Sequence, residues 1–315
     1  MSPTDPHGRA IGGHGGLLSA VLSLGLMAGG AGAATTISPT NLFAYGANLG
    51  WVNARADGVH GAVIGEFFCA GYLYAANVGW IHLGDGQPAD GIRYRSESAA
   101  DYGVNHDGRG NLRGFAWSPE IGWLTFTNRD ARGAFFDGPQ VDLRTGRLSG
   151  AIWSANCGWI ALSNVVALVQ TGWLEPAEDS DGDGIPDAWE RHHAGSLASL
   201  SRDGDSDGDG QTDYQEYEAD THPLDPASQF RITQIRPDKA NSVAITWSSR
   251  ASRLYALYRC STWNPQASWR DSGLGVVSSA WGTNTTRTLA LIPEATQEYY
   301  RVRVLRPLPP PSRSR

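Results

Sequence analysis

Two acidic stretches of this chain carry carboxylates at one spacing. Asp179, Asp181, Asp183, Asp187 and Glu190 stand at positions 1, 3, 5, 9 and 12 of DSDGDGIPDAWE. Asp205, Asp207, Asp209, Asp213 and Glu216 repeat them in DSDGDGQTDYQE, 26 residues further on. A hard dication such as Ca2+ takes about six to eight oxygens, a sharp turn and a closing bidentate carboxylate. In the first loop the aspartates and Glu190 supply side-chain oxygens, Ile185 a backbone carbonyl, and Asp187 binds directly or through water. Gln211 takes the carbonyl role and Asp213 the ninth-position role in the second. Gly184 and Gly210 permit the turn.

Both loops run into helix-compatible segments, Pro186–Ala194 and Thr212–Ala219, and neither follows an amphipathic helix. The pattern is that of an EF-hand loop without its entering helix. It resembles thrombospondin type 3 repeats and, more distantly, dockerin-type loops. That resemblance implies calcium binding and adds Asp220 and Asp225, in the tail DTHPLDPAS, as further ligands.

Charge is segregated around these loops. Of 32 acidic residues, 16 fall between Glu175 and Asp225, against only Arg191 and Arg202 as bases. From Arg231 onward 13 bases face 4 acids. The net charge of −7 is therefore mostly the proposed ion site. Without ions those carboxylates repel one another and hold the middle segment open.

The N-terminus reads as an export signal: Arg9 in a polar start, the apolar run Leu17–Ala28, then Ala31-Gly32-Ala33 as a cleavage site. The run is too short to span a bilayer. The expected product is exported, secreted or held at the cell surface, and does not span the membrane. Cys69, Cys157 and Cys260 leave at least one thiol unpaired or paired between molecules. A Cys69–Cys157 bridge and small buried hydrophobes are both open readings.

Internal repeats organise residues 42–163. One element recurs as Tyr45-Gly-Ala-Asn48-Leu-Gly50-Trp51, Tyr74-Ala-Ala-Asn77-Val-Gly79-Trp80, Trp117-Ser-Pro-Glu120-Ile-Gly122-Trp123 and Trp153-Ser-Ala-Asn156-Cys-Gly158-Trp159. The closing tryptophans are 29, 43 and 36 residues apart. An aromatic strand, a short turn and a second aromatic strand make a hairpin with a cross-strand aromatic pair. Further strands are expected at IRYRS, YGVNH, GAFFD and QVDLR. The resulting all-β domain is closed or stacked: propeller, barrel or solenoid. The element resembles a G-x-A-W-x-x-N-x-G-W-I repeat of bacterial exported and surface proteins, often found beside calcium-binding repeats.

Beyond the acidic block, strands are expected at Gln229–Ile235, Ser242–Ser248, Arg253–Cys260, Gly273–Ser278, Arg287–Ile292 and Tyr299–Leu305. This stretch is similar to fibronectin-type-III-like domains, which implies a small β-sandwich. The chain thus reads as mainly β: signal 1–34, aromatic-repeat β domain 35–174, calcium-binding double loop 175–227, sandwich 228–306 and a Pro/Arg tail 307–315.

No catalytic constellation emerges. GxSxG, HExxH and phosphate-binding glycine loops are absent from the sequence. His82, His106-Asp107 and His192-His193 read as structural or surface groups, and the chain is expected not to be an enzyme. Of 12 tryptophans, Trp51, Trp80, Trp117, Trp123, Trp153, Trp159 and Trp173 lie in the repeat domain. The core is the favoured place for them; exposed, the same row would stack on sugar rings. The leading expectation is an exported, non-enzymatic structural or adhesion protein with a calcium-rigidified spacer between two β domains. Alternatives are a carbohydrate-binding module, part of a polysaccharide hydrolase, and dockerin-like assembly. The partner is then a glycan or another surface protein, not nucleic acid.

Overall fold

The computed structural model describes residues 35–127, 138–239, 241–263, 268–280, 282–293 and 295–311. The expected signal segment, GAFFD and the last residues of the tail lie outside the described residues.

The repeat region forms β1 (Ile37–Gly46), β2 (Gly50–Asn53), β3 (Val63–Ile64), β4 (Cys69–Ala75), β5 (Gly79–Asp85), β6 (Val104–His106), β7 (Leu112–Ser118) and β8 (Gly122–Phe126). It continues through β9 (Gln140–Val141), β10 (Leu148–Ser149), β11 (Ala151–Ser154), β12 (Gly158–Ala161) and β13 (Leu168–Thr171). Each sequence repeat is one antiparallel hairpin: β1–β2, β4–β5, β7–β8 and β11–β12. The four hairpins stand side by side, and β12 pairs back to β1 through Tyr45↔Ala161 and Gly46↔Ile160. The result is a closed eight-stranded up-and-down barrel, which settles the propeller–barrel–solenoid alternative. YGVNH contributes β6 and QVDLR contributes β9, whereas IRYRS is an irregular loop wrapped around Tyr94.

The repeat sequence explains the hairpin. In the first copy Leu49 N donates to Gly46 O (3.2 Å), and Gly50 follows at φ +81°. A turn closed by a left-handed residue is a standard three-residue hairpin loop, and glycine enters that conformation without steric cost. Gly79, Gly122 and Gly158 hold the same place at φ +69°, +68° and +76°. Each such glycine therefore sets the bend, rather than making room for the tryptophan after it.

Alternation along the strands sends two sets of apolar side chains to opposite faces. Ala44, Val52, Leu73, Ile81, Ala116, Leu124, Ile152 and Ile160 point inward and are buried. Burying each large aliphatic among them stabilises the fold by about 1.5–3 kcal/mol. Leu49, Ile121 and Cys157, from the hairpin turns, join the same core, with Val78 packed against it. An apolar cavity of about 20 Å³, lined by residues such as Ala44, Ile64, Leu112 and Val169, remains inside.

The outward set corrects the core reading of the tryptophans. Trp51 (49% exposed), Trp80, Trp117, Trp123 and Trp159 are exposed on the outer wall, and Trp153 and Trp173 are half-buried. The physical reason is size. An eight-stranded barrel is just wide enough inside for ordinary side chains, and the aliphatic positions already fill it.

Cys69, Cys157 and Cys260 are free and buried. Burial pushes the Cys69 thiol up to about 12. The Cys69–Cys157 bridge is not formed, and both act as small core hydrophobes.

The middle segment carries α1 (Asp187–Ala194) and α2 (Asp213–Ala219), the two helices that the sequence placed after the loops. Thr212 and Gln215 form a capping box at the start of α2. The C-terminal part holds β14 (Ile232–Pro237), β15 (Ser242–Ser248), β16 (Leu254–Cys260), β17 (Arg270–Ser278), β18 (Asn284–Ala290) and β19 (Tyr299–Leu305). These form two three-stranded antiparallel sheets, β14-β15-β18 and β17-β16-β19. Val243, Ile245 and Trp247 of one meet Tyr255, Leu257 and Val277 of the other in a single core, which makes a small sandwich.

The three parts are packed together. Residues Ile185, Trp189, Leu200 and Tyr217 form a core of their own under the loops, and Phe67 of the barrel domain packs on it. Past the sandwich the chain comes back to the barrel: Leu174 N donates to Leu308 O (2.9 Å), and Leu308 packs on the barrel core.

Candidate metal centre

Each acidic loop is folded by its own carboxylates. Asp179 accepts from Gly182 N and Gly184 N, both at 2.9 Å. Asp183 accepts from Ile185 N at 2.7 Å. The second loop repeats this: Asp205 accepts from Gly208 N (2.9 Å) and Gly210 N (3.0 Å), and Asp209 from Gln211 N (2.7 Å). Gly184 and Gly210 take φ +96° and +94°, the left-handed turn expected of the sixth position.

These turns bring three carboxylates together in each loop. Asp179, Asp181 and Asp183 have oxygens within 4.8 Å of one another, and so do Asp205, Asp207 and Asp209. The closing glutamates come from the helices. Glu190 and Glu216 are fully buried. Both oxygens of Glu190, one oxygen of Glu216 and the Oδ2 atoms of Asp183, Asp207 and Asp209 are buried with no hydrogen-bond partner.

Unpaired buried carboxylates are costly, and the electrostatics register it. Burial, then the Asp181, Asp183, Asp187 and Asp179 charges, push Glu190 up to about 8. Burial likewise pushes Glu216 up to about 7; a hydrogen bond from Thr221 opposes that rise, and Asp207, Asp209 and Asp213 add to it. Asp183 is also raised, by burial and by Asp181 and Asp179. A dication at each triad would pair these oxygens and remove the repulsion. The donor set, all hard oxygen, fits calcium.

The ninth-position aspartates stand apart from the triads. Asp187 accepts from Ser180 N (2.7 Å), Ser180 Oγ (2.6 Å) and Arg191 Nη2 (3.0 Å). Burial raises its carboxyl, but the Ser180 and Arg191 bonds outweigh that and hold it below the usual range. Asp213 accepts from Ser201 N, Ser206 N and Ser206 Oγ at 2.9–3.1 Å. Both aspartates brace the loop from behind, at the ninth position that often meets its ion through water. Asp220 turns away as well: it caps α2, accepts from Ser252 Oγ and lies 4.0 Å from Arg253. Asp225 accepts from Ala227 N (3.1 Å) within its own turn. Ile185 is fully buried in the module's core, and Gln211 Oε1 accepts from Phe230 N at the start of the sandwich (3.2 Å).

Several supporting residues escaped the sequence reading. Ser180 and Ser206 occupy the second position of both loops, a repetition visible in the sequence. Tyr217 gave no signal, because its partners are distant: its hydroxyl donates to Glu66 Oε2 of the barrel domain (2.8 Å). Arg306 pairs with the same Glu66 and lies 4.9 Å over the Tyr217 ring. On the other side Arg253 donates to Tyr217 O (2.6 Å) and Glu218 O (2.7 Å), and Arg250 to Asp220 O (3.0 Å). Within the module Arg202 links the loops, donating to Asp183 O (3.0 Å) and stacking on Tyr214 at 4.0 Å.

Among the described residues the histidines hold no ligand cluster. His192 and His193 pack with Trp189 and His222 on one side of α1. His106 is buried and bonded to Gly65 O (3.0 Å) and Gly110 N (3.2 Å). His82 sits on the outer wall.

Comparison with known protein families gives one result: residues 179–196 and 205–226 match the bacterial TSP3 repeat model. No curated protein and no solved structure matches the chain. TSP3 repeats bind calcium and are typical of extracellular proteins, so the protein carries a calcium-binding module of extracellular type. Among the described residues, no helix is long and apolar enough to cross a membrane.

Proposed function

We propose that this protein is exported and acts outside the cell as a non-enzymatic structural or adhesion protein, in which calcium locks the joint between the barrel and the sandwich. One observation carries the reading: α2 supplies the buried Glu216, whose Oε2 has no partner, to the second loop and, one residue on, Tyr217 to both neighbouring domains. An ion held by Glu216 therefore fixes the helix that both β domains grip. Gln229 Nε2, donating to Asp209 O (3.1 Å), ties the sandwich directly to the same loop. The joint is short and packed on both sides, a brace more than an extended spacer. The segment 1–34, read from its sequence as an export signal, supports the extracellular setting, where calcium is plentiful.

An ion that binds only the folded form stabilises it by about 2.7 kcal/mol at a hundredfold excess over its dissociation constant. The test is calorimetric titration of the purified chain with calcium, with hydrogen exchange read at 179–221. Two binding events and slowed exchange across α2 and its contacts are expected. Absence of binding at millimolar calcium would overturn the reading.

A further inference from the structure

We propose that the outer wall of the barrel is a binding surface for an uncharged polysaccharide, centred on the seam between the second and third hairpins. The inference is independent of the calcium joint, because the seam uses barrel residues alone.

Repetition on both faces is the first observation. Barrel packing requires only the inward aliphatic set. Yet every hairpin also keeps an outward aromatic pair: Tyr45↔Trp51, Tyr74↔Trp80, Trp117↔Trp123 and Trp153↔Trp159. Cross-strand pairing accounts for part of this, at about 0.2–1 kcal/mol per pair. It does not account for the rings added beside the pairs, Phe43, Tyr72 and Phe115. Exposed aromatic patches of this extent mark binding surfaces.

At the seam the rings join into a strip. Trp80 lies 5.6 Å from Tyr72, Tyr72 4.8 Å from His82, His82 5.6 Å from Tyr102 and Tyr102 5.0 Å from Trp123. Tyr102 belongs to no strand; the loop before β6 delivers it. That loop is built around Tyr94, whose hydroxyl donates to Asp85 (2.9 Å) and whose ring fills the space where a Cβ on Gly84 or Gly103 would stand. Tyr102 is thus held in place, and its hydroxyl bonds His82 Nδ1 at 2.7 Å.

The chemistry of the wall selects the occupant. Asn53, Thr125, Tyr72, Tyr74 and His82 put polar edges among the rings; Asp85, exposed at the end of β5 near His82 and Tyr102, is the one carboxylate among the described strand residues of the barrel, and it accepts from Tyr94. Arg113 is the one cation among them, and it is already bonded to Leu112 O and Asn111 Oδ1. Ring faces with uncharged hydrogen-bonding edges match the apolar faces and hydroxyl rims of neutral sugars. An ionic partner finds no row of one sign among the described strand positions, where Arg113 and Asp85 are a single charge of each sign. A flat bilayer would touch one side only of a wall whose rings run round all four hairpins.

The full chain, in calcium, is tested for retention on cellulose, xylan, mannan, laminarin and amylose. Alginate, hyaluronan and phosphatidylcholine vesicles serve as charged and lipid probes. Retention on at least one neutral polymer is expected, weakened about tenfold or more by Trp80→Ala, Trp123→Ala or Tyr102→Ala and unchanged by Trp263→Ala in the sandwich. Tyr102→Ala decides the matter if the tryptophan variants fail to fold, since it leaves every strand intact. No retention on any neutral polymer overturns the proposal. So does retention that ignores all three substitutions, or binding confined to the anionic polymers or the vesicles.

Discussion

The side chain of Asn48, in the first hairpin turn, donates to the carbonyl of Cys157 in the fourth (3.3 Å), across 109 residues of sequence. Asn77 does the same to Leu49 O (3.1 Å) and Asn156 to Ile121 O (3.0 Å). Each repeat asparagine thus holds the turn of the hairpin beside it. The third hairpin has Glu120 at that place, and a carboxylate cannot donate.

Glu120→Asn should supply the missing member by reaching toward Val78 of the second turn. The expected gain is about 1 kcal/mol, or about 2–4 °C in Tm. Asn156→Ala should cost a similar amount. Thermal melts of the two variants, in calcium, check the pair; a Glu120→Asn protein that melts lower would refute the ring.

Glu190→Gln should cross over with calcium. In chelator at pH 8 the variant loses a buried, unpaired charge and should gain about 1–3 kcal/mol. In calcium it loses a ligand and should be less stable than the parent. Denaturant titrations in both conditions read the sign, and a single sign in both would show that Glu190 faces no ion.

Proton linkage follows from the same glutamates. In the metal-free fold Glu190 is pushed up to about 8 and Glu216 to about 7, against 4.5 for an ordinary glutamate. A raised pKa favours the protonated fold. Their contribution in chelator is therefore full below about pH 4.5 and is lost as pH climbs through 7 to 8. Calcium must displace these protons, so its affinity should rise over that window, by up to about tenfold per pH unit for each proton released. Melting curves with and without calcium from pH 5 to 9 should diverge as pH rises. Parallel curves would count against the linkage.

Arg253→Ala should loosen α2 by removing the donors to Tyr217 O and Glu218 O. A cost of about 1–3 kcal/mol is expected, with faster hydrogen exchange over 213–221 and little change in the first loop. Uniform exchange across both loops would remove the arginine from the joint.

Much of this architecture was legible in the repeats. The Gly-Trp spacing marked four hairpins, and the DSDGDG spacing marked both loops and the helices behind them. The tryptophans misled because strands with two apolar faces give no inside by pattern alone. Side-chain volume decides, and Val52, Ile81, Leu124 and Ile160 are the set that fits. Asp187 and Asp213 were legible as loop positions but not in their hydrogen bonds. Position in a loop says which residues are near an ion, but the competing donors Ser180 and Ser206 decide where the carboxylates point. Tyr217, Glu66 and Arg306 meet only once the chain has returned to the barrel, a contact no local window contains.

That return has a mechanical consequence. With the entering strand at Ile37 and the leaving segment at Leu308 both anchored in one barrel, tension applied along the chain enters and exits through the same rigid body. The calcium joint and the sandwich hang from it as a closed side loop. They would bear no load until the Leu174–Leu308 bond and the Glu66–Arg306 pair gave way.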